Sequence, residues 1–495
     1  MENTINDLFV INPAYFLKND SNKVIFCARD NYKEPGVSYE SFFTYLHPYN
    51  AQLLSFFDGE NTLGEVLEKA SEHFKLSRDE LYEIVKQLIE NPEGKSIRHQ
   101  WHWMYFPPHV LLNKKKVTSY TSYPLDSFLS YGDLDLGDFR LNTPLSANLL
   151  LTMKCYTNCM YCYADRQLKG RPMTLEQIKS IIRQARELGM LSLDINGGEV
   201  LFHPHRMEIF EELIQCGFDP LISTKIPVDK DTVLQLKSVG IHSIQLSFDS
   251  VHPATLHTLL GVNEDYFGKI DRMLHTLEEE GMRVTLHTVL AAPNTSVSEI
   301  SDLLRYLESF SCIQEIRLSP AGFSLYRGED ASYMPAKKQL DEVFRYVEAY
   351  NRSRPEDRQV RLDAYYAKDY YRNKKVFQER AVCTANVRSF VILPDGRVTI
   401  CEELYEHPRF IIGDLTKQSI LEMWNSPEAK RLFHLAQEWI SRESVCKSCA
   451  EFRQCRETRG VCWKEVLMAY GDDKWDFPDA RCPKAPELYR KIYTE

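Results

Sequence analysis

Cys155-Tyr-Thr-Asn-Cys159-Met-Tyr161-Cys162 is the stretch of this chain that constrains its fold and chemistry most tightly. The C-x3-C-x2-C spacing supplies three thiolates on one short loop. A four-iron cluster needs four ligands, so three thiolates leave one iron with an open position. The alternatives are a zinc site or three unrelated buried thiols. Structural zinc takes four closed ligands, and no fourth Cys or His follows Cys162 at a suitable spacing, so we interpret the triplet as an iron–sulfur site.

Strand and helix patterns alternate along the chain around and after this triplet. Short apolar runs predict six strands, at residues 147–153, 191–196, 220–223, 243–248, 283–291 and 315–319. Amphipathic spacing predicts helices between them, at residues 174–188, 207–215, 231–239, 265–280 and 298–310. Strands that alternate with helices indicate a parallel sheet with the helices packed outside it.

Polar residues follow several of these strands. Gly197-Gly198-Glu199 comes directly after the second strand, where glycines allow close backbone approach and a carboxylate can accept from an ammonium group. Ser247 and Asp249 end the fourth strand, at the edge where barrel active sites are built. These five residues are the candidates for binding a ligand beside the cysteine loop.

The cysteine triplet, with Tyr161 before its last member, and the later Gly-Gly-Glu resemble the signature of radical S-adenosylmethionine (SAM) enzymes. The resemblance implies that Cys155, Cys159 and Cys162 hold a [4Fe–4S] cluster whose open iron binds SAM, and that an electron from it releases a 5′-deoxyadenosyl radical. It implies an α/β fold, with a partial (β/α)6 barrel over residues 144–330 that is open on one side. The SAM-binding residues that it implies are Gly197, Gly198, Glu199, Ser247, Asp249 and Tyr161.

The sequence identifies no catalytic acid or base. His203, His287 and Asp194 lie near strand ends, but packing or hydrogen bonding explains each of them. Residues 223–225, Ser-Thr-Lys, end the third strand and are weaker ligand candidates, because an ordinary surface turn explains them equally well.

The C-terminal region carries a second group of cysteines, well above average usage. The chain starts without a signal-peptide pattern, and no apolar run is long enough to span a bilayer, so we expect a cytoplasmic protein with no membrane contact. A reducing cytoplasm disfavours disulfides, which favours metal binding by these thiolates. The seven residues are Cys383, Cys401, Cys446, Cys449, Cys455, Cys462 and Cys482.

This second pattern resembles the SPASM domain, which carries two auxiliary [4Fe–4S] clusters in radical SAM enzymes that act on peptides and proteins, and which would span residues 383–495. The resemblance implies that Cys383, Cys401 and Cys462 hold the first auxiliary cluster, and that the second is held by Cys446, Cys449, Cys455 and Cys482. Six residues separate Cys455 from Cys462, where the family usually has three. Seven thiolates are one short of eight, so either another group completes the first auxiliary cluster or it keeps an open iron. The remaining cysteines, Cys27, Cys216 and Cys312, are interpreted as ordinary buried residues.

Residues 1–95 form a different kind of module. Strands are predicted at residues 8–17 and 23–28, and helices at residues 47–57, 62–74 and 77–91, with Ser77 and Glu80 as a capping box. A small sheet and three helices suggest a winged-helix-like domain. The third helix is mixed to acidic and the net charge is −10, which disfavours nucleic acid as a partner. The pattern resembles the PqqD-like recognition element, in which a leader peptide adds to the small sheet as a strand.

Two further segments complete the expected organisation. Residues 96–143 are aromatic-rich and are expected to be an irregular bridge, and residues 331–382 are expected to be a linking helical region. The order of the three modules resembles that of a radical SAM peptide maturase. It implies a precursor peptide as substrate, three [4Fe–4S] clusters and SAM as cofactors, and a flavodoxin or ferredoxin as electron donor.

The product that we expect first is a thioether crosslink from a cysteine sulfur to a carbon of another residue. A carbon–carbon or ether crosslink is the main alternative. Maturation of a protein side chain, as in sulfatase activation, and a non-catalytic iron–sulfur scaffold are the remaining hypotheses.

Overall fold

The chain forms two units in the computed structural model, Met1–Asn142 and Thr143–Glu495. The structure describes residues 5–29, 32, 37–89, 91–99, 102–129, 139–164, 170–327, 330–405 and 407–495. Among the helices in these ranges, none combines the length and the apolar character that crossing a membrane requires.

Short antiparallel strands form the sheets of the first unit. The strands are β1 (Leu8–Ile11), β2 (Tyr15–Asp20), β3 (Lys23–Ala28), β4 (Phe43–Leu46), β5 (Asp58–Thr62), β6 (Lys95–His99), β7 (His102–Phe106) and β8 (Leu111–Asn113). They pair in the orders β5-β1-β8, β2-β3-β4 and β6-β7. The single strand expected over residues 8–17 is instead β1 and β2, because Asn12 Oδ1 accepts from the Ala14 N–H and turns the chain between them.

Three helices follow the small sheet, as the sequence predicts: α1 (Pro48–Ser55), α2 (Leu63–Phe74) and α3 (Arg78–Ile89). The predicted capping box is confirmed, since the Glu80 N–H donates to Ser77 Oγ and the Ser77 N–H donates to Glu80 Oε2 at 2.9 Å. Thr62 and Glu65 form a second capping box at the start of α2. Each box satisfies backbone N–H groups that a helix start would otherwise leave unpaired.

The expectation of irregular chain over residues 96–143 is wrong for its first part, which contains most of the β6-β7 hairpin and β8. Met104 and Phe106 of β7 are each 2% exposed, whereas Trp103, next to Met104, is 60% exposed. This alternation is the pattern of a strand that buries one face. Met104 and Phe106 of this strand therefore belong to the core of the first unit, whereas Trp103 does not.

The second unit alternates strands and helices. Its strands are β9 (Ser146–Thr152), β10 (Ser192–Gly197), β11 (Ile222–Thr224), β12 (Ser243–Ser247), β13 (Arg283–Leu290), β14 (Ile313–Pro320), β15 (Arg361–Leu362), β16 (Ser389–Ile392), β17 (Arg397–Thr399) and β18 (Ile411–Asp414). Its helices are α4 (Leu175–Glu187), α5 (Arg206–Gln215), α6 (Lys230–Ser238), α7 (Pro253–Leu260), α8 (Tyr266–Glu279), α9 (Val297–Leu307), α10 (Lys337–Asn351), α11 (Lys374–Glu379), α12 (Ile420–Trp424), α13 (Pro427–Phe433), α14 (Phe452–Thr458) and α15 (Trp463–Tyr470).

Two five-stranded sheets organise this unit, in the orders β10-β9-β16-β17-β18 and β11-β12-β13-β14-β15. The six predicted strands, β9 to β14, are all present and pair in parallel within their sheets. Strand β16, from the C-terminal cysteine-rich region, also pairs in parallel with β9. Helix α7 was not predicted; it begins at a proline and is only eight residues long.

The second sheet has one apolar and one polar face. Ile244, Leu246 and Leu286 are fully buried in the main core of the unit. Residues 245, 247, 285 and 287 alternate with them along β12 and β13; they are Gln, Ser, Thr and His, and all are half-buried. This period of two places polar side chains on the face that does not pack against the helices.

Candidate functional site

The cysteine loop follows β9 and is fastened to the end of α7. The Asn158 N–H donates to the Leu260 carbonyl at 2.8 Å, and the Met160 N–H donates to the Leu259 carbonyl at 2.9 Å. The guanidinium of Arg327 donates to backbone carbonyls of the same loop. These bonds fix the backbone that carries the three predicted cluster ligands.

The thiols of Cys155 and Cys159 lie near one another. Thr157 Oγ1 lies 3.6 Å from Cys155 Sγ and 3.2 Å from Cys159 Sγ. Cys159 is buried, while Cys155 and Cys162 are half-buried. Three soft thiol ligands on one anchored loop fit an iron–sulfur cluster. Within the described ranges, no three His, Cys, Asp or Glu side chains are grouped so that they could hold a single metal ion.

Gly197 and Gly198 pack directly against the start of this loop. The Gly198 N–H donates to the Thr152 carbonyl at 2.7 Å. A Cβ on Gly197, whose φ is +143°, would lie 2.2 Å from the Thr152 oxygen, and one on Gly198 would lie 2.3 Å from the Lys154 oxygen. Both glycines are therefore required for the close approach of β10 to the strand that leads into the cysteines.

Glu199 is 2% exposed, and its carboxylate is engaged by the chain itself. It accepts from Thr224 Oγ1 at 3.1 Å and from the Lys225 and Leu201 N–H groups at 3.2 Å. Burial raises the pKa of Glu199, although these hydrogen bonds oppose the rise. The Glu199 carboxylate thus connects β10 to the end of β11 by hydrogen bonds. The contact of Glu199 with the SAM amino group stays a prediction.

Tyr161, Lys225 and Asp249 form a buried hydrogen-bonded set beside the loop. Lys225 Nζ lies 2.7 Å from Asp249 Oδ2 and 2.7 Å from the Tyr161 hydroxyl, and that hydroxyl donates to Asp249 Oδ2. Burial and then the Asp249 charge raise the pKa of Tyr161 well above its usual value. Burial alone would lower the pKa of Lys225, but Asp249 and the nearby thiols Cys159 and Cys155 outweigh it and the pKa is raised. Lys225, only a weak candidate in the sequence, is the centre of this set.

A second polar set crosses the half-buried face of the second sheet. Ser247 lies in register with His287, whose Nε2 is 2.7 Å from Ser319 Oγ. Asp363 Oδ2 accepts from Ser319 Oγ at 2.5 Å and from Arg317 Nε at 2.7 Å. Burial, and then the Arg317 charge, lower the pKa of His287. Sequence reasoning missed Ser319 and Asp363; Asp363 follows a two-residue strand, which leaves no pattern to detect.

The other two residues that the sequence placed near strand ends differ from these. His203 is 7% exposed and its Nδ1 accepts from the His205 N–H at 3.3 Å, which is a structural contact. Asp194 is exposed on β10. Neither residue belongs to the two polar sets above.

The auxiliary cysteines lie in two neighbourhoods. Burial raises the pKa of Cys401 to about 12, and the charges of Glu403 and Cys383 add to the rise. Burial also raises the pKa of Cys462, with a smaller contribution from Cys383. The charge of Cys383 thus acts on both Cys401 and Cys462, which are the partners assigned to it from the sequence.

The second neighbourhood contains the other predicted ligand set. Burial raises the pKa of Cys482 to about 11, and the charges of Cys446 and Cys455 add to it. Lys484 Nζ lies 3.7 Å from Cys449 Sγ. The assignment of individual ligands stays a prediction.

Cationic side chains contact the sulfurs of this second set. Arg380 Nη2 donates to Cys455 Sγ at 3.3 Å, and Arg456 Nη2 lies 3.9 Å from Cys446 Sγ. With Lys484, three different predicted ligands thus each have a cationic neighbour, and such a neighbour stabilises thiolate charge. Sequence reasoning did not identify these residues, because charged residues in loops and short helices usually face solvent.

Cys383 lines a small cavity of about 20 Å³ together with Arg456 and Trp463. Among the described residues, Arg456 Nη1 and Trp463 Nε1 are buried and have no acceptor. Buried N–H groups normally have a partner, so these donors suit an acceptor that the chain does not itself provide. The sulfides of a cluster that Cys383 would hold fit that requirement, since cluster sulfurs accept hydrogen bonds.

Comparisons of the sequence with known proteins match both cysteine-rich regions. The model of the radical SAM superfamily matches residues 149–307, and that of SPASM, an iron–sulfur cluster-binding domain, matches residues 383–450. The PqqA peptide cyclase of Bradyrhizobium diazoefficiens is 24% identical over 359 residues, which cover 71% of this chain and 89% of that protein. The PqqA peptide cyclase of Gluconobacter oxydans is 24% identical over 310 residues, which cover 62% of this chain and 82% of that protein.

The fold of the chain is also similar to that of solved structures. Streptococcus suis SuiB bound to S-adenosylmethionine has a TM-score of 0.64 at 15% identity, with 96% of this chain and 99% of SuiB covered. SuiB bound to the precursor peptide SuiA has a TM-score of 0.62 over the same shares. The predictions of a radical SAM domain and a SPASM domain are confirmed, and these domains imply SAM and [4Fe–4S] clusters as cofactors.

Proposed function

We propose that this chain, with its radical SAM domain followed by a SPASM domain, is an enzyme that modifies a ribosomally made precursor peptide. One combination of features carries the proposal. The chain has the three-thiol loop and seven further cysteines, and its fold matches that of SuiB over 96% of the chain. SuiB has been solved with a precursor peptide, and curated relatives are peptide cyclases, which supports a peptide as substrate here.

The residues of the radical SAM domain have distinct roles in this proposal. Cys155, Cys159 and Cys162 would hold a [4Fe–4S] cluster, and Gly197, Gly198, Glu199, Ser247, Asp249 and Tyr161 would surround SAM. The chemistry that cluster and SAM supply together is the release of a 5′-deoxyadenosyl radical, which abstracts a hydrogen atom from the peptide. The parallel strands β9 to β14 would be the walls of a partial (β/α)6 barrel over residues 144–330.

The chain's own charges fit the amino-acid end of SAM, which carries one ammonium and one carboxylate. Lys225 and Asp249 pair their opposite charges at the cysteine loop, and only the lysine side chain, which is 13% exposed, is accessible to a ligand. Tyr161 holds this pair in place through hydrogen bonds to both. Lys225 can therefore attract the carboxylate of SAM, while Asp249 keeps the net charge of the pair at zero.

We further propose a thioether as the product. Cys383, Cys401 and Cys462 offer three thiols where a four-iron cluster takes four, which leaves a position for a cysteine of the substrate. Forming the carbon–sulfur bond removes two hydrogens from the peptide. One leaves as a hydrogen atom and would convert the 5′-deoxyadenosyl radical to 5′-deoxyadenosine, and the other leaves as a proton with an electron. The SPASM region, residues 383–495, would hold the two auxiliary clusters that can accept that electron.

The first unit would bind the leader of the precursor. Its sheet β2-β3-β4 is small and antiparallel and is followed by three helices, as a PqqD-like recognition element would be. An extended peptide could add to an edge of that sheet by main-chain hydrogen bonds. A flavodoxin or ferredoxin would supply the electron that starts each turnover, and we propose a cytoplasmic location.

The test is the mass of the small peptide encoded beside this gene, co-expressed with the enzyme under anaerobic conditions and then treated with a thiol-alkylating reagent. We expect each event to remove two hydrogens and one alkylatable thiol. The Cys155→Ala variant should leave the peptide unmodified. Loss of two hydrogens with every thiol still reactive would instead establish a carbon–carbon or ether crosslink, and an unchanged peptide mass with the wild-type enzyme would contradict the proposed function.

A further inference from the structure

A cavity of about 100 Å³ lies between the chain that follows β14 and helix α15. Much of its wall is aromatic, from Phe323, Tyr365, Tyr366 and Tyr371. About 10–15 Å³ is enough for one water molecule, so this cavity has room for the end of a long side chain. Both of its main walls belong to the second unit.

Glu465 provides an unusual polar group in this wall. Its Oε2 is buried and has no hydrogen-bond donor among the described residues. The nearest cation is Arg481, whose Nε is 3.7 Å from that oxygen. Arg481 already pairs with Asp479, because its guanidinium donates hydrogen bonds of 2.7 and 2.6 Å to the two carboxylate oxygens of Asp479. A buried carboxylate oxygen without a donor is costly, so this oxygen favours a donor from outside the chain.

The charges around the cavity also favour a cation. Lys464, the other charged residue of the wall, donates to Glu403 at 2.7 Å. Burial raises the pKa of Glu465 to about 7, so above that pH Glu403, Glu465 and Asp479 outnumber Lys464 and Arg481 by one negative charge. An incoming cation would balance the local charge, and the faces of tyrosine and phenylalanine rings attract cations as well.

We propose that this cavity binds a lysine or arginine side chain of the peptide substrate, whose charged end donates to Glu465 Oε2 between the aromatic rings. This proposal rests on the peptide-modifying function proposed above. Glu465 lies three residues after Cys462 in the chain, and its charge contributes to the raised pKa of that thiol. A cationic residue held here would position the peptide beside the first auxiliary cysteine set.

The test measures binding separately from turnover. The full-length reconstituted enzyme is titrated with Nα-acetyl-lysine methylamide and with Nα-acetyl-norleucine methylamide, which lacks the ammonium group, and affinities are taken from ligand-observed NMR. We expect the lysine probe to bind about tenfold more tightly, a difference of about 1.4 kcal/mol. Glu465→Gln should remove this preference.

Two further variants test whether a change in probe binding comes from the proposed contact or from a general disturbance of the protein. Glu443→Gln removes a surface carboxylate that pairs with Lys474, so it changes the charge equally and should keep the preference. Tyr366→Leu, at a ring that is 43% exposed, should weaken the lysine probe several-fold while norleucine binding stays the same.

Equal binding of both probes by the wild-type enzyme, or a preference that survives in Glu465→Gln, would overturn the cavity proposal. The same samples are assayed for 5′-deoxyadenosine and for modified peptide. An enzyme that prefers the lysine probe but never modifies a peptide would contradict the proposed function alone. An enzyme that modifies its peptide but binds both probes equally would contradict only the cavity proposal.

Discussion

Lys225 and Asp249 form an ion pair of 2.7 Å in which the lysine side chain is 13% exposed and the aspartate side chain is fully buried. Removing one partner of such a pair leaves the other charge without compensation, at a cost of about 3–5 kcal/mol. We therefore expect Lys225→Met to lower the thermal midpoint of the second unit clearly, measured anaerobically by circular dichroism.

The double variant Lys225→Met/Asp249→Asn is the control for this prediction. It removes both charges, so it should recover part of the lost stability. A midpoint unchanged in Lys225→Met, or one lowered further in the double variant, would show that the pair does not stabilise the fold.

Gly198 is expected to control iron content through packing. In Gly198→Ala the new Cβ would lie 2.3 Å from the Lys154 backbone oxygen, so the start of the cysteine loop must move. We expect a loss of about four irons per chain, one cluster, with the auxiliary iron retained. Gly268→Ala is the matched control, because its nearest neighbour is a flexible arginine atom at 3.8 Å and its iron content should equal that of wild type.

The sequence predicted much of this architecture because its signals are local. The strands β9 to β14 follow from apolar runs separated by amphipathic helices, and the capping box at Ser77 follows from four consecutive residues. The pairing of β16 with β9 joins distant segments, and no local pattern encodes it. The same limit explains why Asp363 and Arg456 were missed, since their roles come from neighbours that only the fold brings together.

Cys401 should separate radical generation from crosslinking. If its role is in the first auxiliary set, Cys401→Ser leaves the loop of Cys155 intact, and 5′-deoxyadenosine should still form. Crosslinked peptide should fall at least tenfold, because the electron and the substrate sulfur lose their acceptor position. Mass spectrometry of peptide and nucleoside from one reaction checks both results. Equal loss of both products would contradict this division of roles.

His287 should contribute to the acid sensitivity of the second unit. Burial lowers its pKa in the folded protein below the usual value of about 6.5. The unfolded chain therefore takes up a proton first as the pH falls, so the stability present above pH 6.5 is lost below it. We expect the thermal midpoint to decrease between pH 7 and pH 5.5, and to decrease less steeply in His287→Gln. Identical slopes would contradict the assignment. His203 and His407, whose pKa values burial also lowers, should add to the remaining slope, and Glu465, whose pKa burial raises to about 7, should oppose it.

Lys484 and Arg380 should raise the reduction potential of the cluster proposed for Cys446, Cys449, Cys455 and Cys482. Each places a positive charge within reach of a ligand sulfur, at 3.7 Å from Cys449 and 3.3 Å from Cys455. Positive charge and hydrogen bonds at the sulfurs favour the reduced, more negative cluster. We expect Lys484→Gln and Arg380→Gln to lower the midpoint potential of one cluster in an EPR-monitored redox titration. Lys447→Gln is the matched control, because that ammonium donates to the Glu438 carbonyl and should leave the potential unchanged. An equal shift in all three variants would mean that the effect comes from overall charge rather than from contact with the sulfurs.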